Sequence, residues 1–230
     1  MKMNFFSFSV AILAALTSVN AQSGGQIRAG INLANVSVNE NGRVDEANML
    51  TSFHVGVVGD VPLGTTLSFQ PGLLFTGKGS KIQQGDPSQA GYYKQTSNPY
   101  YLEVPLNLIF KGPITASSKF FAGAGPYLAM GVAGKNKTEG RTILGTYENE
   151  RDIEFSNDDP STLNEEEGAG FGILRRFDYG FNGTAGIEGK SLVLGVNYGL
   201  GLAKLQSGSN NSQDNNNKHR VLGFFLGFKF

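Results

Sequence analysis

A chain of 230 residues with 32 glycines, no cysteine and no tryptophan has room for one barrel or sandwich, and it cannot build a disulfide framework, a thiolate metal site or thiol chemistry. Its 19 basic residues equal its 19 acidic ones, so no net field draws in nucleic acid or anionic lipid, and no nucleic-acid partner is expected.

Residues 1–21 read as an export signal: Lys2 supplies the positive start, Phe5 to Leu16 the apolar run, and Val19-Asn20-Ala21 a small-residue cleavage site. The mature domain, residues 22–230, is expected to begin near Gln22, and the lack of cysteine excludes lipoprotein-type anchoring. Beyond the signal there is no run of about 18 apolar residues, so a helical membrane span is not expected.

The first strand is predicted over Gln26–Val36, with Ile27, Ala29, Ile31 and Leu33 on one face and Arg28, Gly30 and Asn32 on the other. After a polar run, Thr51–Asp60 sets Phe53, Val55 and Val57 against His54, Gly56 and Val58. A turn at Pro62–Thr65 leads to Thr66–Thr76, where Leu67, Phe69, Pro71, Leu73 and Phe75 oppose Ser68, Gln70, Gly72 and Leu74. Gly77–Pro99 reads as a loop, and Tyr100–Phe110 alternates Leu102 to Phe110 against Tyr101, Glu103, Pro105, Asn107 and Ile109.

Lys111–Ser118 is a tight connection into Lys119–Val132, whose outward face is read as Leu128, Met130 and Val132. A segment rich in Asp and Glu, including Glu165-Glu166-Glu167, follows and is too long for an ordinary connection. Phe177–Glu188 and Ser191–Leu202 are joined by Gly189-Lys190. The Ser/Asn/Gln stretch from Gln206 to Asn217 separates them from the last strand, Arg220–Phe230, whose row Leu222, Phe224, Leu226, Phe228 and Phe230 is unbroken and apolar.

The strands number eight, and long connections (about 37–50, 77–99, 133–176 and 204–218) alternate with short ones. Even strand number, loops of unequal length at the two ends and spans of roughly 10 to 12 residues predict an all-β, eight-stranded antiparallel up-and-down transmembrane β-barrel with lipid on its apolar face. Phe53 and Phe75 at one end, and Phe110 and Phe230 at the other, are candidates for two aromatic girdles. Pro71 and Pro105 fall inside strands of a barrel that has no free edge, so a bulge or an unpaired carbonyl is expected at each.

Strand parity assigns Arg28, Asn32, His54, Gln70, Glu103, Asn107, Asp178, Asn182, Glu188 and Lys229 to the lumen. Charges there must pair, and the expectation is a structural network centred on Arg28 with Glu103 or Asp178. No catalytic, cofactor or metal residue is assigned: His54 and His219 are the two histidines, neither has a Gly-x-Ser-x-Gly context, and the acidic segment lacks the spacing of a calcium loop.

Gly30-Ile31-Asn32-Leu33-Ala34-Asn35, Phe69-Gln70-Pro71-Gly72-Leu73-Leu74-Phe75 with Gly77-Lys78-Gly79, and Tyr101-Leu102-Glu103-Val104-Pro105-Leu106 resemble the PorT-type outer-membrane β-barrel family of Bacteroidetes. Ala122-Gly123-Ala124-Gly125-Pro126-Tyr127, Phe177-Asp178-Tyr179-Gly180 and Gly227-Phe228-Lys229-Phe230 continue the resemblance in order. It implies an eight-stranded barrel inserted from the periplasm into the outer membrane, and a link to protein secretion through the name-giving member. Both prolines lie inside motifs of this resemblance.

The expected function is that of a non-enzymatic outer-membrane barrel with a structural or binding role carried by its outer loops. Its expected partners are outer-membrane lipid, the barrel-assembly machinery through the strand ending at Phe230, and an extracellular or secretion-system protein. Two other readings use the same strands: a secreted lipocalin-like carrier, which would turn the bulky row inward around an apolar ligand, and a lipid-modifying barrel enzyme, which would need a serine and an acid beside His54.

Overall fold

A computed structural model describes residues 24–37, 49–156, 173–205 and 217–230. The expected export signal, the run Glu165-Glu166-Glu167 and nearly all of the Ser/Asn/Gln loop lie outside the described residues. The strands are β1 (Gly24–Ser37), β2 (Leu50–Pro62), β3 (Leu67–Gly77), β4 (Ser80–Gln84), β5 (Tyr93–Pro113), β6 (Lys119–Thr142), β7 (Gly145–Asp152), β8 (Glu154–Phe155), β9 (Ile173–Leu174), β10 (Phe177–Glu188), β11 (Leu192–Gly201) and β12 (Lys218–Lys229).

Eight of these close a ring in the order β1-β2-β3-β5-β6-β10-β11-β12, every neighbour antiparallel, with β12 returning to β1. Closure leaves no open edge, which is the condition for a sheet to sit in hydrocarbon, where an unpaired backbone group has no water to turn to. The last residue takes part: Phe230 N–H donates to Gly25 O at 2.9 Å, and Gly25 N–H donates to Phe230 O at 3.2 Å. Short turns gather at this end, each held by backbone bonds, such as Leu63 N–H to Leu67 O (2.8 Å) and Gly189 N–H to Leu192 O (2.7 Å). The long connections leave from the other end.

Strand alternation resolves into two faces of opposite chemistry. Leu128 (65%), Phe228 (55%), Phe181 (53%) and Leu194 (53%) stand exposed on the outer wall, whereas Ile109 (0%) and Val193 (2%) are enclosed. Phe224, Leu226 and Phe228 point away from the barrel axis, and so do Leu128 and Val132 on β6. A carrier of an apolar ligand requires the reverse, so the lipocalin-like reading does not describe this fold. Large inward rings fit because glycine faces them: a Cβ on Gly195 would lie 2.5 Å from the Phe225 ring.

Residues 77–99 are not the loop the sequence suggests, because β4 and the first part of β5 occupy them, paired from Ser80↔Ser97 to Gln84↔Tyr93. Nor are residues 133–176 one loop: β6 runs on to Thr142 and turns back into β7. Polar, non-alternating sequence hides these strands because both of their faces meet water. A tilted strand crosses the bilayer in about 9–11 residues. β5 has 21 and β6 has 24, so close to half of each stands beyond the membrane.

The prolines are accommodated without bulges. The β2–β3 register is the same on both sides of Pro71, with the pairs at Gly59 and Asp60 missing, and the β3–β5 register is unchanged across Pro105, with the pairs at Gly72 and Leu73 missing. The ladder opens locally where proline has no N–H to give, and the strands keep their facing. The register shift of the β5–β6 pair lies instead at Tyr100/Tyr101, where these strands leave the barrel.

Candidate functional site: the barrel lumen and the sheet above it

The lumen has three layers. Nearest the long loops, Lys78 Nζ donates to Glu103 Oε2 at 2.7 Å and Asp178 Oδ2 at 2.9 Å, and lies 3.9 Å from the centroid of the Tyr127 ring. Tyr127 O–H donates to Asp178 Oδ2 (3.0 Å), and Asn182 Nδ2 donates to Glu103 Oε1 (2.9 Å). Two carboxyl groups thus share one ammonium and two further neutral donors. His219 adjoins it, its Nε2 3.2 Å from Tyr101 Oη.

The centre expected for this network was Arg28, and the structure puts Lys78 there. No ion pair joins Arg28 to Glu103 or Asp178 among the described residues; its guanidinium lies 3.9 Å over the Phe225 ring. Depth explains the exchange. Arg28 pairs across the sheet with Gly227 and Gly56, near the turn end, whereas Lys78 continues the inward row of β3 past Thr76 toward Asp178. The chain at Lys78 can pass close to β5 because Gly79 follows: a Cβ there would sit 2.2 Å from Ser97 O.

The middle layer is apolar, with Ile109, Phe121, Val193 and Phe225 in one cluster. Beside it, His54 Nδ1 is 2.7 Å from Asn32 Oδ1, and Asn32 Nδ2 donates to Thr76 Oγ1 (2.9 Å) and Gly77 O (3.0 Å). Gln70 and Asn107 stand directly opposite each other, both buried. At the turn end, Lys111 bridges Asp60 and Glu188, and Lys229 lies 3.5 Å from Glu188. Lys229 is half-buried at the mouth rather than enclosed.

Sequence reading leaves Lys78, Tyr101, Lys111, Tyr127 and His219 out of the polar lumen. Lys78 and Lys111 fall one step beyond the strands as read, yet both keep the inward parity of their rows, and extending each row by two residues finds them. A cavity of about 20 Å³ lies among His54, Thr76, Lys78, Glu103, Asn182 and Asn197. That is space for roughly one or two waters and no continuous channel. Both histidines are inside the wall and hydrogen-bonded to lumen partners, away from the lipid-facing surface that a lipid-modifying enzyme would use.

Above the barrel, β4, β5, β6 and β7 form a four-stranded sheet. Its ion ladder joins Lys94 to Glu139 (2.6 Å), Lys137 to Glu139 (3.1 Å) and Glu148 (2.9 Å), and Lys135 to Glu150. The hydrogen bonds from Lys94 and then Lys137 hold the Glu139 carboxyl below the ordinary glutamate range, and the bond from Lys135 does the same to Glu150. At the β6–β7 turn Ile143 (93%) and Leu144 (99%) are exposed. Over the lumen, Phe155 of β8 meets the Tyr101 ring at 5.7 Å, and Arg176 Nη2 donates to Phe155 O (2.9 Å).

The profile of the family described as outer membrane protein beta-barrel domain matches residues 20–207. Among solved structures, Ail, the attachment invasion locus protein of Yersinia pestis, is similar at 11% identity and a TM-score of 0.40, over 90% of this chain and 99% of that one. Neisserial surface protein A is similar at 11% identity and a TM-score of 0.45, over 90% and 97%. The N-terminal β-barrel domain of Pseudomonas aeruginosa OprF is similar at 10% identity and a TM-score of 0.32, over 90% and 97%. No curated protein matches.

Proposed function

The chain belongs to the outer membrane protein beta-barrel domain family, and from that premise we propose that it is a non-enzymatic barrel of the bacterial outer membrane whose work is to hold the β4–β7 sheet outside the cell as a binding surface. The observation that carries this reading is the division of β5 and β6 into a membrane-length half and a solvated half. Strand that no bilayer requires has been kept, paired and laced with ions above a barrel whose own interior is filled.

A permeation role is disfavoured by the same interior. The Ile109, Phe121, Val193 and Phe225 cluster and the Lys78 layer lie across the axis, and an eight-stranded barrel is about as wide as its own side chains. The bound partner is an extracellular protein or a component of a secretion system, the latter following from the PorT-type resemblance of the Phe69–Lys78 and Tyr101–Leu106 segments. Residues 1–21 serve as the export signal, and the strand ending at Phe230 is the contact for the assembly machinery.

The test is to place a single cysteine at Leu144 and label intact cells with a membrane-impermeant maleimide. Labelling without lysis, together with a heat-modifiable gel shift of the detergent-extracted chain, is the expected result. Labelling that requires lysis would put the sheet in the periplasm and overturn the reading.

A further inference from the structure

The sheet above the barrel has two faces of unlike chemistry, and its register tells them apart. Residues directly opposite one another share a face, so the cross-strand row Gln84, Tyr93, Gly140, Tyr147 and the next row, Ile82, Gln95, Thr138, Asn149, lie on one side. The alternate rows, Lys81, Thr96, Lys137, Glu150 and Gln83, Lys94, Glu139, Glu148, lie on the other, with the whole of the ion ladder. Across the paired residues of β4–β7 the first side carries no charge except Arg151, at its foot. It continues the lumen-side row of β5, which runs from Tyr101 through the enclosed Pro99 to Gln95 and Tyr93.

Two tyrosines stand in one row of this neutral face with a glycine between them. A Cβ on Gly140 would lie 2.4 Å from both Cζ and Oη of Tyr147, so the Tyr147 ring covers the glycine and lies across β6 instead of standing off the sheet. Tyr147 and Ile82 remain exposed, by 47% and 48%. Two inter-strand spacings, roughly 10 Å, separate the backbones of Tyr93 and Tyr147. Tyr93 O–H donates to Gln95 Oε1 (3.0 Å), which occupies the carbonyl of that amide and leaves its NH2 group to donate elsewhere. Ile153 covers Gly134 lower down on the same face, where a Cβ would lie 2.7 Å from its Cδ1.

We propose that this face binds a neutral oligosaccharide, with one sugar ring stacked on Tyr147, another on Tyr93, and hydroxyls held by the amides of Gln95 and Asn149. A pyranose has a face rich in C–H groups, which suits the negative face of an aromatic ring, and hydroxyls that both donate and accept, which suits a primary amide that does the same. A phosphate, sulfate or uronate finds no cation in the two tyrosine and amide rows, because the lysines of these strands point to the other side. A peptide anchored by apolar side chains finds no pocket there, since Ile82 is the one aliphatic side chain of those rows and stands on the surface. The proposal rests on the reading of the sheet as an extracellular binding surface and gives its neutral face a ligand class.

The experiment presents the full chain, folded in a non-glycosidic detergent, to an array of malto-, cello-, laminari- and chito-oligosaccharides beside sulfated and polyuronate ones, then titrates the best neutral probe by calorimetry. Loss of one stacking ring is expected to weaken binding about tenfold in Tyr147→Ala and in Tyr93→Ala, while Tyr147→Phe, which keeps the ring, stays within about threefold. Asn149→Ala, at an exposed edge position, is expected to lose about fivefold through one hydrogen-bonding group. Lys81→Gln, on the opposite face beside Ile82, should bind as the unmodified chain does.

Binding to the sulfated or polyuronate probes alone, or full binding by the Tyr93→Ala/Tyr147→Ala double variant, would overturn the proposal. Absence of binding to every neutral probe would overturn it too and leave the face to a protein partner. Should the alanine variants disturb the upper sheet, seen as lost amide protection in 135–150, Asn149→Ala and Lys81→Gln decide between the two faces. Failure of the extracellular reading has a separate signature, because the titration uses purified chain: sugar binding would persist while a cysteine at Leu144 is labelled only after lysis.

Discussion

Lys78 and Arg28 are two buried cations with different standing. Lys78 satisfies two carboxylates at once, so Lys78→Met strands Glu103 and Asp178 in the lumen. A loss of about 3–5 kcal/mol is expected in urea unfolding from phospholipid vesicles, as when one partner of a buried pair is deleted. Among the described residues Arg28 has an aromatic ring and no carboxylate, so Arg28→Leu is expected to change the same unfolding energy by no more than about 1 kcal/mol, because the ring contact it loses is offset by a charge no longer desolvated. A loss above 3 kcal/mol for Arg28→Leu would restore it to the network centre. On the outer wall, Leu194→Arg or Leu226→Arg is expected to cost about 2–4 kcal/mol if each lies near the bilayer midplane. No loss for both would contradict the assignment of that face to lipid.

At the scale of the element, the sheet above the membrane and the barrel below it are held by different forces and should respond separately to acid. Hydrogen bonds from Lys94, Lys137 and Lys135 depress the Glu139 and Glu150 carboxyls relative to an unfolded value near 4.5. A depressed carboxyl gives its stabilisation in full above the unfolded value and loses it as pH falls through the folded one. The protection of amides in 135–150, taken relative to the intrinsic exchange rate at each pH, is therefore expected to be unchanged between neutrality and about pH 5 and to fall below about pH 4.5, with that of β10–β12 retained. The effect will be small because these groups face water. β7 touches the barrel through β6, so replacing residues 143–152 with a short glycine-containing turn should leave the heat-modifiable shift intact. Its disappearance would mean that the upper sheet is part of the folding unit of the barrel.

For the molecule as a whole, stability comes from closure: eight strands without an edge, lined by side chains that fill the lumen and clad in side chains that lipid accepts. The chain is expected to extract only with detergent and to migrate faster unheated than boiled. Recovery in aqueous buffer would contradict the membrane placement of every outward residue named here.

The alternation of β1, β2, β3 and β10–β12 was legible residue by residue, because a strand between lipid and a filled lumen has two chemically opposite faces and the period of two survives in the sequence. From it followed the number of ring strands, their direction, and the lumen placement of residues such as Asn32, Gln70 and Asp178. β4, β7 and the upper halves of β5 and β6 left no such trace, since both of their faces meet water and polar residues serve on either. Which cation meets which carboxylate was likewise decided only by the folded ring. Parity fixes the side of the wall on which Arg28 and Lys78 stand, but the stagger of β3 against β5, β6 and β10 fixes their depth, and that depth gave Glu103 and Asp178 to Lys78.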